Sequence, residues 1–387
     1  MKQTACMSSA FAPDVTLLQP IIKWPGGKER ELDKIIPALP ARINNYYEPF
    51  VGGGSVFTSV CAERYFINDL SAELIALYRN IASQNKLFFA YVEAISLSWA
   101  RAGDFHKANI SLADLYKDYR DDRISRDRLG AELHDFCTNK REGIMEIVPC
   151  IARRNVSMLI DEMETALLRK TMRMRALEAT RHLLSDTDLS ANVETAIKGA
   201  LYMYYRHLYN DKIIMKEDAE FYCALFFFIR NYCYSSMFRY NKAGEFNVPY
   251  GGMAYNHKSL NTKIEYYKSC PLARLMNRTS IYNMDFEQFL RQMRMDDGDF
   301  VFLDPPYDSE FSTYDKMPFG KADHVRLANA IINDCKAKWM LVIKHTEFIY
   351  NLYDKQGINI RSFDKDYAVS FMNRNNRKAT HLVITNY

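Results

Sequence analysis

The chain has 387 residues, enough for one large domain or two ordinary ones. Hydrophobic residues make up 48% and charged residues 25%, the ordinary balance of a soluble globular protein. A net charge of +4 permits nucleic-acid binding without demanding it, because the usual footprint is a local basic patch. Eight cysteines are scattered, with no Cys-x-x-Cys pair and no His/Cys cluster at zinc spacing. They read as reduced, mostly buried thiols of a cytoplasmic protein, and no metal is expected. No signal peptide is expected from Met1 to Pro20, and the most apolar run, Cys223 to Ile229, is too short to span a bilayer.

Residues 1–20 read as a loose arm. Lys23-Trp24-Pro25-Gly26-Gly27-Lys28 follows, a tight turn between two lysines that can aim positive charge at a carboxylate or phosphate. A strand is expected from Tyr46 to Val51. It closes on Gly52-Gly53-Gly54-Ser55, after which a helix is expected from Val56. Three glycines let a backbone turn tightly and approach a ligand that a Cβ would block. The turn is not Gly-x-Gly-x-x-Gly and has no Gly-Lys-Ser/Thr end, so a nucleoside without phosphates suits it better than a pyrophosphate. The next strand, Tyr65 to Asn68, leads into Asp69, where an acid can accept both hydroxyls of a ribose. A helix is expected from Ser71 to Ile81.

The middle of the chain differs. No convincing strand stands between about Leu87 and Arg230. Met158 to Leu184 is rich in strong helix formers, and Asp218 to Asn231 reads as a more apolar helix. Strands resume at Thr279 to Asn283, Phe300 to Leu303, Trp339 to Lys344, Ile358 to Phe363 and His381 to Thr385. Helices are expected at Phe286 to Met295 and Asp323 to Ala337. The alternation predicts a doubly wound, mostly parallel α/β sheet of about seven strands. The α/β domain is expected at 21–85 and 270–387, interrupted by a helical domain at 86–269.

The most specific segment is Asp304-Pro305-Pro306-Tyr307, directly after the apolar run that ends at Leu303. It delivers an acid, two stiff backbone carbonyls and a ring to the carboxyl end of a strand. Such a platform suits a flat base carrying an exocyclic amine.

Together these segments resemble the Dam-type DNA adenine methyltransferases. The resemblance rests on Lys23-Trp24-x-Gly26-Gly27-Lys28, Glu48-Pro49-Phe50-Val51-Gly52-Gly53-Gly54-Ser55-Val56-Phe57, Asn68-Asp69 and Asp304-Pro305-Pro306-Tyr307. A further match, Arg239-Tyr240-Asn241-x-x-Gly244-Glu245-Phe246-Asn247-Val248-Pro249-Tyr250-Gly251, looks like the family's DNA-contacting hairpin, expected at about 234–253. The resemblance implies a Rossmann-like fold and S-adenosyl-L-methionine as cofactor. Trp24, Lys28, Phe50, the turn from Gly52 to Ser55, Asp69, Asp285, Phe286 and Asp304 would surround it. Lys28 would hold its carboxylate end, and Asp285 would accept from its adenine amine.

The same resemblance implies duplex DNA as substrate and catalysis by Asp304, Pro305, Pro306 and Tyr307 on a flipped adenine. Lys23 would face DNA at the target. Arg239 is the candidate for guanine readout, with Met237 and Pro249 for a thymine methyl. Tyr234 would wedge into the vacated stack, and Asn247 belongs to the same hairpin. Arg374, Arg377 and Lys378 would hold phosphates.

Three departures from the family pattern stand out. The region from about 99 to 200 reads as an insertion, a candidate surface for a restriction or defence partner, an enlarged recognition domain or a dimerisation module. Ser235 and Gly252-Met253 stand where larger groups are usual, so GATC is one candidate target among related sites. Thr380-His381 opens the last strand where an acid is frequent. The alternatives are methylation of another planar amine (DNA cytosine, RNA adenine or protein glutamine) and a non-catalytic DNA-binding subunit.

Overall fold

The computed structural model describes residues 18–307, 319–366 and 378–387. Seven strands form one sheet: β1 (Asn45–Glu48), β2 (Arg64–Asn68), β3 (Thr279–Tyr282), β4 (Phe300–Leu303), β5 (Lys338–Lys344), β6 (Asn359–Asp366) and β7 (Lys378–Thr385). Their order is β3-β2-β1-β4-β5-β7-β6. β7 runs antiparallel to both of its neighbours, and the other pairings are parallel.

The strands are written in aromatic and β-branched residues, which suit a pleated surface. Alternation sends them to two cores. Tyr46, Tyr65, Phe300, Phe302, Met340 and Val342 face one. Tyr47, Val301, Leu303, Trp339, Leu341 and Ile343 face the other. β4 is buried along its whole length, which is why its four residues read as an uninterrupted apolar run.

The chain order reverses between β1 and β4, which pair through Tyr46–Phe300 and Tyr47–Val301. Ligands of open α/β sheets sit outside the carboxyl ends of strands at such a point. The glycine turn leaves one of these strands there, and Asp304 leaves the other.

Between β2 and β3 the described chain is helical. Its main helices are Ala72–Ala82, Lys86–Ala108, Ser111–Arg120, Arg126–Asn139, Ser157–Glu178, Asp186–Asn210 and Ala219–Tyr232. Trp99, Ile197, Tyr205 and Phe228 belong to the same continuous core as one face of the sheet. The 219–232 helix buries eleven of its side chains, so it is a central column rather than a surface helix.

The helix expected from Val56 is a single turn, Phe57–Ser59. The buried Tyr65 hydroxyl accepts from Ala62 N at 2.9 Å and donates to Val60 O at 3.0 Å, which holds the chain extended after that turn. The helix after β4 runs Lys321–Asn329 and widens into a π turn at Ala330–Asp334. No helix among the described residues is long and apolar enough to cross a membrane.

Candidate active site

The glycine turn lies on top of the Ile22–Trp24 segment. Gly52 and Gly54 have φ of +49° and +78°, which L side chains rarely adopt. A Cβ on Gly52 would come within 2.9 Å of Trp24 Cδ1. Trp24 therefore packs beneath the turn and reaches sideways to Phe238 at 4.7 Å between ring centroids. The Asp69 carboxylate accepts from Gly52 N at 3.0 Å and from Ser71 N at 2.9 Å, so it joins the turn to the start of the Ala72–Ala82 helix.

Asn68 ties three strand ends together. Its amide donates to Pro49 O and Met284 O at 3.0 Å and accepts from Met284 N at 3.0 Å. That brings Asp285 to the same rim, three residues beyond the end of β3 and as N-cap of the Phe286–Gln292 helix. Asp285 Oδ1 accepts from Glu287 N at 3.0 Å and from the Arg326 guanidinium at 2.7 Å. Arg326 also pairs with Glu287 and Asp323 and covers the Phe286 ring at 4.8 Å. These acids hold the guanidinium far above its ordinary range, the bond from Glu287 first among them. Phe50, Phe286 and Phe319 form an aromatic cluster with centroids 5.4–5.8 Å apart. A cavity of about 460 Å³ opens beside Asp285, Glu287 and Arg326.

At the other strand of the switch point, the Lys28 ammonium touches Asp304 Oδ1. It also donates to Gly26 O at 2.9 Å and to the Tyr307 hydroxyl at 3.2 Å. Lys28 is 1% exposed and its own N–H donates to Ser55 Oγ at 3.0 Å. The lysine turn, the glycine turn and the Asp304-Pro305-Pro306-Tyr307 segment thus meet in one knot. The resemblance gave Lys28 to a cofactor carboxylate; the contact made here is with the catalytic candidate.

Glu48 lies beneath that knot. Burial pushes its carboxyl well above the ordinary range, against the lowering bond donated by the Tyr46 hydroxyl at 2.8 Å. The charge of nearby Asp304 adds to the rise. Tyr307 is set by a further group: the buried His381 ring meets it edge-on at 5.5 Å. The unusual His381 was visible in the sequence, but its contact was not.

The hairpin is closed by backbone bonds from Tyr234 N to Pro249 O at 2.9 Å, Asn247 N to Arg239 O at 3.1 Å and Asn241 N to Glu245 O at 2.8 Å. Its limbs share two isolated antiparallel bridges, Cys233–Tyr250 and Tyr240–Phe246. Tyr234, Arg239 and Pro249 are exposed, Met237 and Asn247 are half-buried, and Lys23 is exposed on the adjoining segment. Arg239 Nε donates to Asn247 Oδ1 at 2.8 Å. Ser235 and Ser236 both take positive φ, which stores strain in the turn that presents Tyr234.

Arg230 was missed in the sequence, where it merely closes an apolar helical run. Its guanidinium, 1% exposed, donates to Ser236 O at 2.9 Å, Met237 O at 3.0 Å and Lys23 O at 2.9 Å. It also lies 3.5 Å from the centroid of Phe238. Arg374 and Arg377 lie outside the described residues, and Lys378 is the first residue of β7. No cluster of metal-ligating side chains occurs among the described residues.

Comparison with known proteins agrees with this arrangement. The sequence model of the D12 class N6 adenine-specific DNA methyltransferases matches residues 24–129 and 153–368. The type II methyltransferase M.CviBI of Paramecium bursaria Chlorella virus NC1A is 26% identical over 96% of this chain and 100% of its own length. The type II methyltransferase M1.LlaDCHI of Lactococcus lactis subsp. cremoris is 24% identical over 96% of each chain. A DNA adenine methylase of Haemophilus influenzae is 45% identical across a shorter stretch, 17% of this chain and 23% of its own. A methyl donor is therefore required, and DNA is the substrate of the class. With its glycine turn, acidic strand ends and Asp304 platform at one switch point, the chain belongs to the D12 class of N6 adenine-specific DNA methyltransferases.

Proposed function

We propose that the enzyme uses S-adenosyl-L-methionine to methylate N6 of an adenine flipped out of duplex DNA at a specific site, GATC or a close relative. The observation that carries the site assignment is the meeting of Lys28, Asp304 and Tyr307 beside the glycine turn. The donor set fits a nucleoside cofactor without phosphate. Asp69 can accept from ribose hydroxyls, Phe50 and Phe286 can flank a purine, and Asp285 can accept from its amine. When bound, that cofactor supplies an electrophilic methyl group on a sulfonium.

The chain's own residues do the rest. The amine of adenine is a poor nucleophile because its lone pair is delocalised into the ring. Asp304 and the Pro305 carbonyl accept hydrogen bonds from its two N–H groups, which favours a tetrahedral nitrogen with an available lone pair, and the proton that the new N–C bond displaces passes to solvent. Lys28 fixes the orientation of the Asp304 carboxylate, and Tyr307 stacks on the base. Positioning supplies the proximity contribution, and the negative Asp304 stabilises positive charge growing on nitrogen.

On the DNA side, Arg239 reads a guanine, Met237 and Pro249 meet apolar base edges, and Tyr234 fills the gap left by the flipped base. Lys23, Arg374, Arg377 and Lys378 hold phosphates. The type II designation of two full-length relatives supports work alongside a restriction nuclease. Expression in a host lacking adenine methylation, followed by genome-wide mapping of N6-methyladenine, tests the reading. A single recurring site is expected, and it should vanish with Asp304→Ala. Methylated cytosine in its place would refute it.

A further inference from the structure

The second limb of the hairpin has a two-residue rhythm. Phe246 and Val248 are buried, Asn247 is half-buried and Pro249 is exposed. The residues assigned to DNA thus alternate with residues turned inward. The first limb bonds the outward residues, with Asn247 N donating to Arg239 O at 3.1 Å and Tyr234 N to Pro249 O at 2.9 Å.

A helix from the middle of the chain bonds the inward ones. Asn210, the last residue of the Asp186–Asn210 helix, donates from Nδ2 to Phe246 O at 3.0 Å. Its Oδ1 accepts from Phe246 N at 2.9 Å. One side-chain amide thereby completes both backbone bonds of one residue, as a neighbouring strand would. Two helical turns earlier, the Tyr202 hydroxyl donates to Val248 O at 2.8 Å. Arg206, between them, also points to Val248 O at 3.4 Å.

The buried Lys198 donates to Asn256 O at 2.5 Å, and Thr195 accepts from Asn256 Nδ2 at 3.0 Å. Asn256 Oδ1 in turn accepts from the Tyr250 hydroxyl at 2.9 Å. Residues 195, 198, 202, 206 and 210 recur every three or four positions, so they form one stripe of the helix. That stripe runs along the limb and fastens Phe246, Val248 and Tyr250, every second residue.

We propose that the Asp186–Asn210 helix is a built-in register brace for the base-reading hairpin, with Asn210 and Tyr202 as specificity-positioning residues. The proposal rests on the reading of the hairpin as the DNA-contacting element. A slip of one residue would turn Asn247 and Pro249 inward and expose Phe246 and Val248. Because Arg239 is bonded to Asn247, the register fixed at Phe246 passes directly to the guanine reader. The same stripe is thereby occupied within the molecule, so this part of the middle region serves recognition rather than a partner.

The test compares Asn210→Ala, Tyr202→Phe and Arg239→Ala with wild type. The probes are a duplex carrying the mapped site and duplexes with one base pair of that site changed. The readouts are KM and kcat for methyl transfer, S-adenosylmethionine affinity by calorimetry, and the melting temperature. Asn210→Ala and Tyr202→Phe should leave kcat and cofactor affinity near wild type. Each should raise KM for the mapped site about tenfold and narrow the preference for it over the changed duplexes by about as much, equivalent to about 1.4 kcal/mol.

An unchanged preference in both variants, whatever happens to the melting temperature, overturns the brace. If Arg239→Ala collapses the preference while those two do not, the brace alone fails. If Arg239→Ala also leaves it intact, the hairpin is not the reader, and the brace fails with it.

Discussion

Replacing Arg230 by methionine removes a buried cation that joins the hairpin to the Lys23 segment. Each of its three bonds from a charged donor to a carbonyl contributes roughly 1.5–3 kcal/mol, about 5–9 kcal/mol together. Against this stands the cost of burial, which pulls the guanidinium well below its ordinary range, to about 10. At about 1.4 kcal/mol for each unit, that cost is about 3 kcal/mol. The net loss for Arg230→Met is then about 2–6 kcal/mol of stability, readable in urea unfolding.

Function should divide unevenly. Two of the three carbonyls belong to the turn that presents Tyr234 and Met237. DNA affinity, read by fluorescence anisotropy, should fall by about tenfold or more. Cofactor affinity by calorimetry should stay within about twofold, because Asp69 and Asp285 are untouched. Arg230→Lys should recover only part of either loss, since one ammonium cannot reproduce the planar fork. A folded Arg230→Met protein with wild-type DNA affinity would refute the reasoning.

Asp69→Ala should weaken S-adenosylmethionine binding by roughly ten- to a hundredfold, since it removes an acceptor of two ribose hydroxyls and loosens the glycine turn. Calorimetry reads this directly, and unchanged affinity would move the ribose elsewhere. Lys263 is pushed down to about 8, first by burial and then by Lys258, with Arg230 and Lys23 adding to it. Its folded value lies below its unfolded one, so the unfolded chain holds more protons between about 8 and 10.5 and stability rises with pH across that window. Lys263→Met should therefore stabilise the fold at pH 7 by as much as about 3 kcal/mol, with the gain shrinking toward pH 10. Urea unfolding at the two pH values checks it, and an equal gain at both would contradict it. Tyr234→Ala should lower the fluorescence rise of a 2-aminopurine placed at the target base, with little change in cofactor affinity. An unaltered signal would remove Tyr234 from the flipping step.

The parts of this enzyme that were legible in the sequence are those whose chemistry is local. Phe300 to Leu303 matched β4 to the residue because a strand buried on both faces must be apolar throughout. The glycine turn was legible because positive φ at Gly52 and Gly54 demands that residue type. What escaped was long-range. Lys28 and Asp304 are 276 positions apart, and nothing in either motif announces that they touch. Arg230 looked like the polar end of an apolar helix, although one of its three acceptors, Lys23 O, is 207 positions away. The middle helices were expected as helices, but the stripe that meets the hairpin is a spacing of polar residues that looks like any solvated face. The helix expected at Val56 stops after one turn for a local reason, because the Tyr65 hydroxyl holds Val60 and Ala62 extended.

The most direct test of the account is methyl transfer from tritiated S-adenosylmethionine to duplex DNA by the wild-type enzyme and by Asp304→Ala. Digestion and mass spectrometry identify the modified nucleoside. The account predicts N6-methyladenine from the wild type. It predicts a loss of at least about a thousandfold in Asp304→Ala, with cofactor and DNA still bound by the variant. Transfer by Asp304→Ala near the wild-type rate would contradict it.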